Sequence, residues 1–410
     1  MNSTSLQLPN LTDAKADPDI LQKARELSAI FRKTASENEA KGEFPVRNFE
    51  LLKQENFLAL VIPKKMGGLG ADYSTYTKVL TILATGDLGT ALCYNMHHTA
   101  LGPIAEANPT RAQGRVGEHI ERFRRRIFDE VIGHRKVFAS ASSEPGVGSN
   151  FSKYKATYER CENGFVLNGT KSFVSMSTYT DYFVFPAKPK GKESTNLLSF
   201  FIVPRDTPGI RILNNWNPIA LRPTVSNTVI FEDCVVDKDS MFMGVEGLAF
   251  YSLLKDPHWV IGGFAPAYLG LCQSTFDLLL EYVREKKHYQ VGASDLLESR
   301  VGELAADLEV ATHIVGAAAS MVDMQADDSK MEYYLFLAKH LVNLLVTKMT
   351  REAIQICGGG GLSRSFDLER YYREAICCAV MPATRDQCVF YFGRQALGAD
   401  VRGEKHHVWQ

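Results

Sequence analysis

Apolar residues recur at helical spacing from about Asp17 to Arg135, where Leu51, Leu52 and Phe57 to Leu60 supply apolar faces and β-branched alternation is rare. The texture changes near Lys136. Short runs follow at Tyr154-Ala156-Tyr158, Phe165 to Leu167, Tyr182 to Phe185, Leu197 to Val203 and Val229 to Phe231, bounded by Asn163-Gly164, Asn168-Gly169 and Pro204. They predict a compact antiparallel β-domain. After Gly247 the helical period returns, first through Leu269, Cys272, Phe276, Leu279 and Val283, then through Val301, Leu304, Leu308 and Val315. A last long stretch, "YYLFLAKHLVNLLVTKMTREAIQIC", is stopped by Gly358 to Gly361. The pattern predicts an α+β chain in three parts: an N-terminal helical domain over 1–135, a middle antiparallel β-domain over 136–245 and a C-terminal helical bundle over 246–410. A length of 410 residues suits two or three packed domains and leaves room to bury a large cofactor.

Composition narrows the partners. The formal net charge is −1, so no summed field draws the chain to nucleic acid or to anionic lipid. The one dense basic run, Arg122 to Arg126 in "ERFRRRIFDE", is flanked by acids and reads as a solvated helix face. The eight cysteines show no CxxC pair, and Cys377-Cys378 are adjacent, an awkward geometry for a mutual disulfide. A reducing, cytoplasmic setting is expected. The opening "MNSTSLQLPNLTD" lacks the basic and apolar regions of a signal peptide, and no run approaches the roughly 18 apolar residues of a membrane span.

Candidate chemistry lies in the β-region. "SSEPGVGSN", Ser142 to Asn150, joins hydroxyls to glycines that admit close backbone approach, which suits a flavin edge or a pyrophosphate. Alone, it is equally a surface loop. Its sequel, "GFVLNGTKSFVSMSTYTDYFVF", leads through Asn168-Gly169 to an aromatic and a hydroxyl, Phe173 and Ser175, able to flank an isoalloxazine ring.

Together these segments resemble the middle domain of the acyl-CoA dehydrogenase superfamily. The corresponding residues are Ser143-Glu144-Pro145, Gly148-Ser149-Asn150, Asn168-Gly169, Lys171, Phe173-Val174 and Ser175. The resemblance implies an FAD site in which Ser143 meets the pyrimidine ring, Ser149 the pyrophosphate, and Phe173 and Ser175 the reactive region of the flavin. It extends over almost the whole chain. "IPKKMGGLGAD" (62–72), "LRPTVSNTVIFEDCVV" (221–236) and "MGVEGLAF" (243–250) fall in the family's order. "YVREKKHYQ" places Lys286 where the family has a pyrophosphate-binding arginine, keeping the charge but not the two-pronged geometry. "QICGGGG" implies Gln355, Gly358 and Gly359 along the adenosine half, in the family often from a neighbouring subunit. Thr384 and Asp386 fall in the cofactor-binding tail. A homodimer or homotetramer is the implied assembly.

One position departs. Where the family's dehydrogenases carry Glu-Gly-Thr, this chain has Pro382-Ala383-Thr384. Proline supplies neither the base that removes the substrate α-proton nor the N–H that polarises the thioester carbonyl. Such losses typically cost about 10²–10⁴ and 10²–10³ in rate respectively. Relatives with a relocated base carry it near Val260, which cannot serve. The nearest candidates are Asp256 and His258, with His97 and His98 bordering the same cavity in the family layout. Asp256 before Pro257 also suits a helix N-cap, and a lone histidine is more often structural.

The family resemblance implies an FAD-dependent oxidoreductase acting on an acyl chain held as a CoA or acyl-carrier-protein thioester, with an electron acceptor to match. A second reading is a monooxygenase on the same fold using O2 and a flavin reductase. A third is a flavin-binding homologue without turnover. No metal site is expected.

Overall fold

The structure, a computed structural model, describes residues 17–109, 114–148, 150–192, 197–248, 256–285, 292 and 294–399. The N-terminal part is helical: α1 (Pro18–Arg32), α2 (Ala35–Lys41), α3 (Val46–Gln54), α4 (Tyr73–Gly86), α5 (Leu88–Glu106) and α6 (Arg115–Ile132). Acid caps set the starts. Asp17 accepts the Asp19 N–H ahead of Pro18, Asp72 accepts that of Thr75 at 2.7 Å, and Asp87 accepts those of Gly89 and Thr90. Asp323, at the far end of another helix, takes the Tyr73 and Ser74 N–H groups at 2.8 and 3.0 Å, so α4 is anchored from two directions.

The basic run on α6 is not simply a solvated face. Arg124 is buried, and its guanidinium donates to Ile104 O (3.0 Å) and Ala105 O (3.1 Å), the last carbonyls of α5, while Glu121 balances the charge. Its neighbour Arg125 is exposed, as expected.

The middle strands are β1 (Phe138–Ser140), β2 (Thr157–Cys161), β3 (Gly164–Val174), β4 (Tyr182–Pro189), β5 (Ser199–Pro204), β6 (Ile210–Ile212) and β7 (Asn227–Asp237). They form one sheet in the order β1-β4-β2-β3-β7-β6, with β5 on β4. Most pairs are antiparallel, but β4 runs parallel to both β1 and β2, a mixed arrangement that alternation along single strands does not reveal.

The C-terminal bundle holds α7 (Phe264–Glu285), α8 (Asp295–Asp323), α9 (Asp328–Cys357), α10 (Leu368–Cys377) and α11 (Arg385–Ala396). Gly358, at φ +71°, ends α9 where the sequence predicts a stop. The bundle seats on α4 through Gly270 of α7, where a Cβ would lie 2.3 Å from Thr81 O. Only glycine allows that approach. Among the described residues no helix is long and apolar enough to cross a membrane.

Candidate flavin site

The Ser142–Gly148 loop is held from below by a buried ion pair. Glu144 accepts from Lys171 Nζ at 2.8 Å and from the backbone N–H groups of Lys155 (2.7 Å) and Ala156 (3.1 Å). Lys171, fully buried on β3, also donates to Pro186 O at 2.8 Å and lies over the rings of Tyr154 and Phe185. Burial lowers its pKa to about 8, against the pull of the Glu144 charge. The "Glu-Pro" and "Gly-Thr-Lys" motifs thus support the site without facing it. Above the pair, Ser143 O accepts the Ser172 N–H at 2.8 Å and Tyr154 OH donates to Ser142 O. The loop closes with two reciprocal Glu144–Gly148 backbone bonds. Gly146 and Gly148 have positive φ and open space where a Cβ would stand. That opening leaves backbone accessible to a ligand.

The end of β3 is bent by a register shift between Lys171 and Val174. Phe173 and Met176 take left-handed φ of 56° and 59°, and across from them Leu221 and Val225 take 60° and 40°. Such angles are costly for non-glycine residues and cluster at functional sites. Three hydroxyls cross the gap: Ser175 Oγ lies 3.0 Å from Ser226 Oγ, which lies 2.7 Å from Thr224 Oγ1, which donates to Leu221 O at 2.8 Å. Because the Thr224 proton goes to the carbonyl, the chain runs one way, and Ser175 Oγ is left as an acceptor. Phe173 is 65% exposed, with Trp216 edge-on at 6.2 Å. A broad apolar ring beside an acceptor hydroxyl, over a glycine loop that a Cβ would fill, fits a flavin. Trp216 was not singled out from the sequence, since its loop between β6 and β7 has no periodicity to mark it.

The remaining cofactor candidates lie elsewhere. Gln355, Gly358 and Gly359 are exposed together at the end of α9, with Gln355 Oε1 accepting from Arg300 at 3.1 Å and Tyr282 OH donating to Cys357 O nearby. Their contacts are within the bundle. Thr384 caps α11 in a reciprocal box with Gln387, and the side chain of Asp386, 95% exposed, lies 3.7 Å from Arg385. Ser149 and Lys286 lie outside the described residues.

The candidate histidines are all buried and each makes at least one structural contact, with His98 Nε2 and His258 Nδ1 left without a hydrogen-bond partner. His97 donates through Nε2 to Leu58 O (2.9 Å) and accepts the Phe138 N–H at Nδ1 (3.2 Å), so both ring nitrogens serve the backbone and none remains for substrate. Burial lowers its pKa to about 4. His98, also buried, donates Nδ1–H to Tyr94 O and is held neutral by burial. His258 opens a π-helical turn, His258–Gly262, and turns back to Glu106 at 3.0 Å. Behind it Trp259 packs on Gly102 so closely that a Cβ there would lie 2.1 Å from the indole. Asp256 is half-buried, and its carbonyl accepts the Trp259 N–H at 3.1 Å, as expected of a residue that starts a helix.

A histidine kept neutral has a sign to its pH effect. Its depressed pKa means stability is fully present above the ordinary value near 6.5 and is lost as pH falls toward 4. From His97 alone, unfolding free energy is expected to drop by about 2 kcal/mol between pH 7 and pH 5. Urea unfolding of the parent and of His97→Gln at the two pH values checks this, and equal drops in both proteins would refute it.

A buried carboxyl lies eight residues before Pro382 in the chain, and the sequence alone assigned it no role. Glu374 on α10 is buried, pushed up to about 7 by that burial, and paired with the equally buried Arg370 at 3.0 Å. Its i, i+4 spacing from Arg370 was the available signal. Next to it, Arg373 donates to Glu39 Oε1 (3.0 Å) and Ile219 O (2.9 Å), while Glu39 Oε2 accepts the Arg222 N–H (3.0 Å). This cluster ties α2 and α10 to the strained 219–226 loop. Pro382 itself is half-buried in the turn before α11.

Comparison with known proteins agrees with this geometry. The chain matches the N-terminal, middle and C-terminal domain models of acyl-CoA dehydrogenase over residues 19–115, 139–234 and 262–381. It is 25% identical to a putative acyl-CoA dehydrogenase, YdbM, of Bacillus subtilis, over 92% of this chain and 96% of that one. It is 27% identical to the CarC subunit of the caffeyl-CoA reductase-Etf complex of Acetobacterium woodii, over 82% and 86%. In fold it is similar to dibenzothiophene monooxygenase (TdsC) of Paenibacillus sp. A11-2, with a TM-score of 0.80, 21% identity and coverage of 93% and 97%. With all three domains matched in order around a flavin-shaped site, the chain belongs to the acyl-CoA dehydrogenase family of flavin-dependent oxidoreductases.

Proposed function

We propose that this protein binds FAD and carries out a redox reaction on an acyl group held as a thioester of CoA or acyl carrier protein. The observation that carries the reading is the intact flavin side of the site, Ser143, Phe173 and Ser175 on a strained, cross-braced sheet edge, in a chain whose sequence relatives act on acyl-CoA by name. Bound flavin supplies a two-electron acceptor or donor. This chain's residues hold and orient it: Phe173 and Trp216 offer apolar surface, Ser175 offers an acceptor, and the Glu144–Lys171 pair fixes the loop carrying Ser143. On this reading Thr384 and Asp386, in the cofactor-binding tail by family resemblance, contact another part of the same FAD, while Gln355, Gly358 and Gly359, exposed at the end of the bundle, complete the site of a second subunit in a homodimer or homotetramer. Of the sequence candidates for proton transfer, His97 is consumed by backbone, whereas His98 and His258 each keep one buried ring nitrogen without a hydrogen-bond partner. Asp256 is the one carboxylate among them and is taken as the proton acceptor. An electron-transferring flavoprotein is the partner class, as the name of the caffeyl-CoA relative indicates for that protein.

Anaerobic addition of butyryl-, octanoyl- and hydrocaffeyl-CoA to the flavin-loaded protein is expected to bleach the flavin with at least one of them. If none does so within minutes, the acyl-thioester reading fails.

Pro382 favours a second reading, oxygenation, because inserting oxygen needs no α-proton abstraction and so tolerates the loss of that base. A fold neighbour is a monooxygenase by name. Chemical reduction of the flavin followed by 18O2 in the presence of substrate separates the two: label in the product supports oxygenation, and release of hydrogen peroxide alone removes it.

A further inference from the structure

A groove of about 280 Å³ runs along the outer side of α4, between α1 and α8, with Leu269 of α7 at its floor. It faces away from Tyr73 and Tyr76, which point inward to the His258 and Trp259 rings. The hydroxyls of Thr77, Thr81, Thr312 and Ser320 are already occupied. Thr77 donates to Ser74 O (3.0 Å), Thr81 to Thr77 O and Pro266 O (3.0 Å each), Thr312 to Leu308 O (2.8 Å) and Ser320 to Gly316 O (3.0 Å). With their protons spent on helix carbonyls, the threonines contribute methyl groups, and the lining becomes that of Leu21, Ile82, Val315 and Ala319.

Two exceptions remain. Arg25 and Lys78 are exposed on the groove wall, and neither makes a hydrogen bond or ion pair with any described residue. The lining includes no acid. One buried polar atom, Ser74 Oγ, lies in the lining without a hydrogen-bond partner. An apolar trough with only positive charge on its wall is complementary to one ligand chemistry: an aliphatic chain ending in an anion. A neutral chain would leave the cations unmatched, and an amphipathic cation would be repelled. The volume corresponds to roughly nine water-sized groups, enough for a medium-length chain.

We propose that this groove binds an amphipathic carboxylate, a free fatty acid of medium length, at a site separate from the flavin cleft. The chain lies along Leu269, Val315 and Ala319, and the carboxylate meets Arg25 and Lys78. One helix, α4, lines the groove on one face and carries Tyr73 and Tyr76 of the aromatic cluster on the other.

Gly316 permits a clean test, because a Cβ there meets nothing within 4 Å. Gly316→Leu therefore starts its side chain from open space and projects bulk into the groove, and it replaces a poor helix former with a good one. Calorimetric titration of the flavin-loaded protein with decanoate should show saturable binding, weakened at least tenfold by Gly316→Leu and roughly tenfold by the Arg25→Ala/Lys78→Ala pair. Decylammonium should not bind at this site. Absence of decanoate binding, equal binding of decylammonium, or decanoate affinity unchanged in a Gly316→Leu protein that melts at or above the parent temperature would each overturn the assignment. The last outcome would place decanoate in the flavin cleft instead.

Discussion

Replacing Lys171 by methionine is expected to lower the unfolding free energy by about 3–5 kcal/mol and to strip flavin from the purified protein. Methionine fills most of the lysine's volume, so the loss is not a cavity effect. What it removes is the cation at 2.8 Å from Glu144, leaving a carboxylate 3% exposed with only two backbone N–H groups to balance it. Glu144 also defines the glycine loop through its reciprocal bonds with Gly148, so an uncompensated charge there disturbs the cradle itself. The pairing can be isolated by a second change. Glu144→Gln added to Lys171→Met removes the stranded charge while its one amide oxygen still accepts from one of the two backbone N–H groups of Lys155 and Ala156. The double variant should regain at least half of the lost stability. Urea unfolding midpoints and the ratio of flavin to protein after gel filtration report both effects. A double variant no more stable than Lys171→Met alone would show that the pair does not act as argued.

The second large effect concerns turnover. Pro382→Glu restores a carboxylate and a backbone N–H at one stroke, and on the acyl-thioester reading flavin bleaching by a reactive acyl-CoA should accelerate by about 10²–10⁴. Position 382 is half-buried, so the longer side chain has somewhere to go. Stopped-flow measurement under anaerobic conditions gives the rate. An unaltered rate would mean that the thioester does not sit with its α-carbon before residue 382, and would move weight to oxygenation. Asp256→Asn in the Pro382 parent is the companion measurement, because it distinguishes a working relocated base from a helix cap.

Much of this protein was legible before any coordinates. Helical periods and the stop at Gly358 marked the long helices because one face of each is buried in a single core. Strand alternation found the sheet but not its mixed direction, since a strand's own pattern carries no information about which way its neighbour runs. The Ser143, Phe173 and Ser175 region was readable because its turn and bulge residues are local. The histidines could not be sorted from sequence for the opposite reason. Whether His97 is catalytic or structural depends on Leu58 and Phe138, a loop and a strand that folding alone brings to its two nitrogens. Arg124 is the same case in miniature: within a run of like charges, only the end of α5 decides which arginine is buried. Trp216 had no periodicity to mark it, and the i, i+4 spacing of Arg370 and Glu374 showed a pair but not its burial.

The bridge from Glu39 to Arg373 and Arg222 bears on how separable the parts of this chain are. The loop with the unfavourable angles at Leu221 and Val225 is held not only by the sheet that carries it but also by residues from both helical regions. A middle segment expressed alone would be free to relax that loop and with it the acceptor orientation of Ser175. The sheet is therefore no portable cofactor module. Grafting it onto other helices, or exchanging it with that of a relative, should preserve function only when Glu39 and Arg373 travel with it.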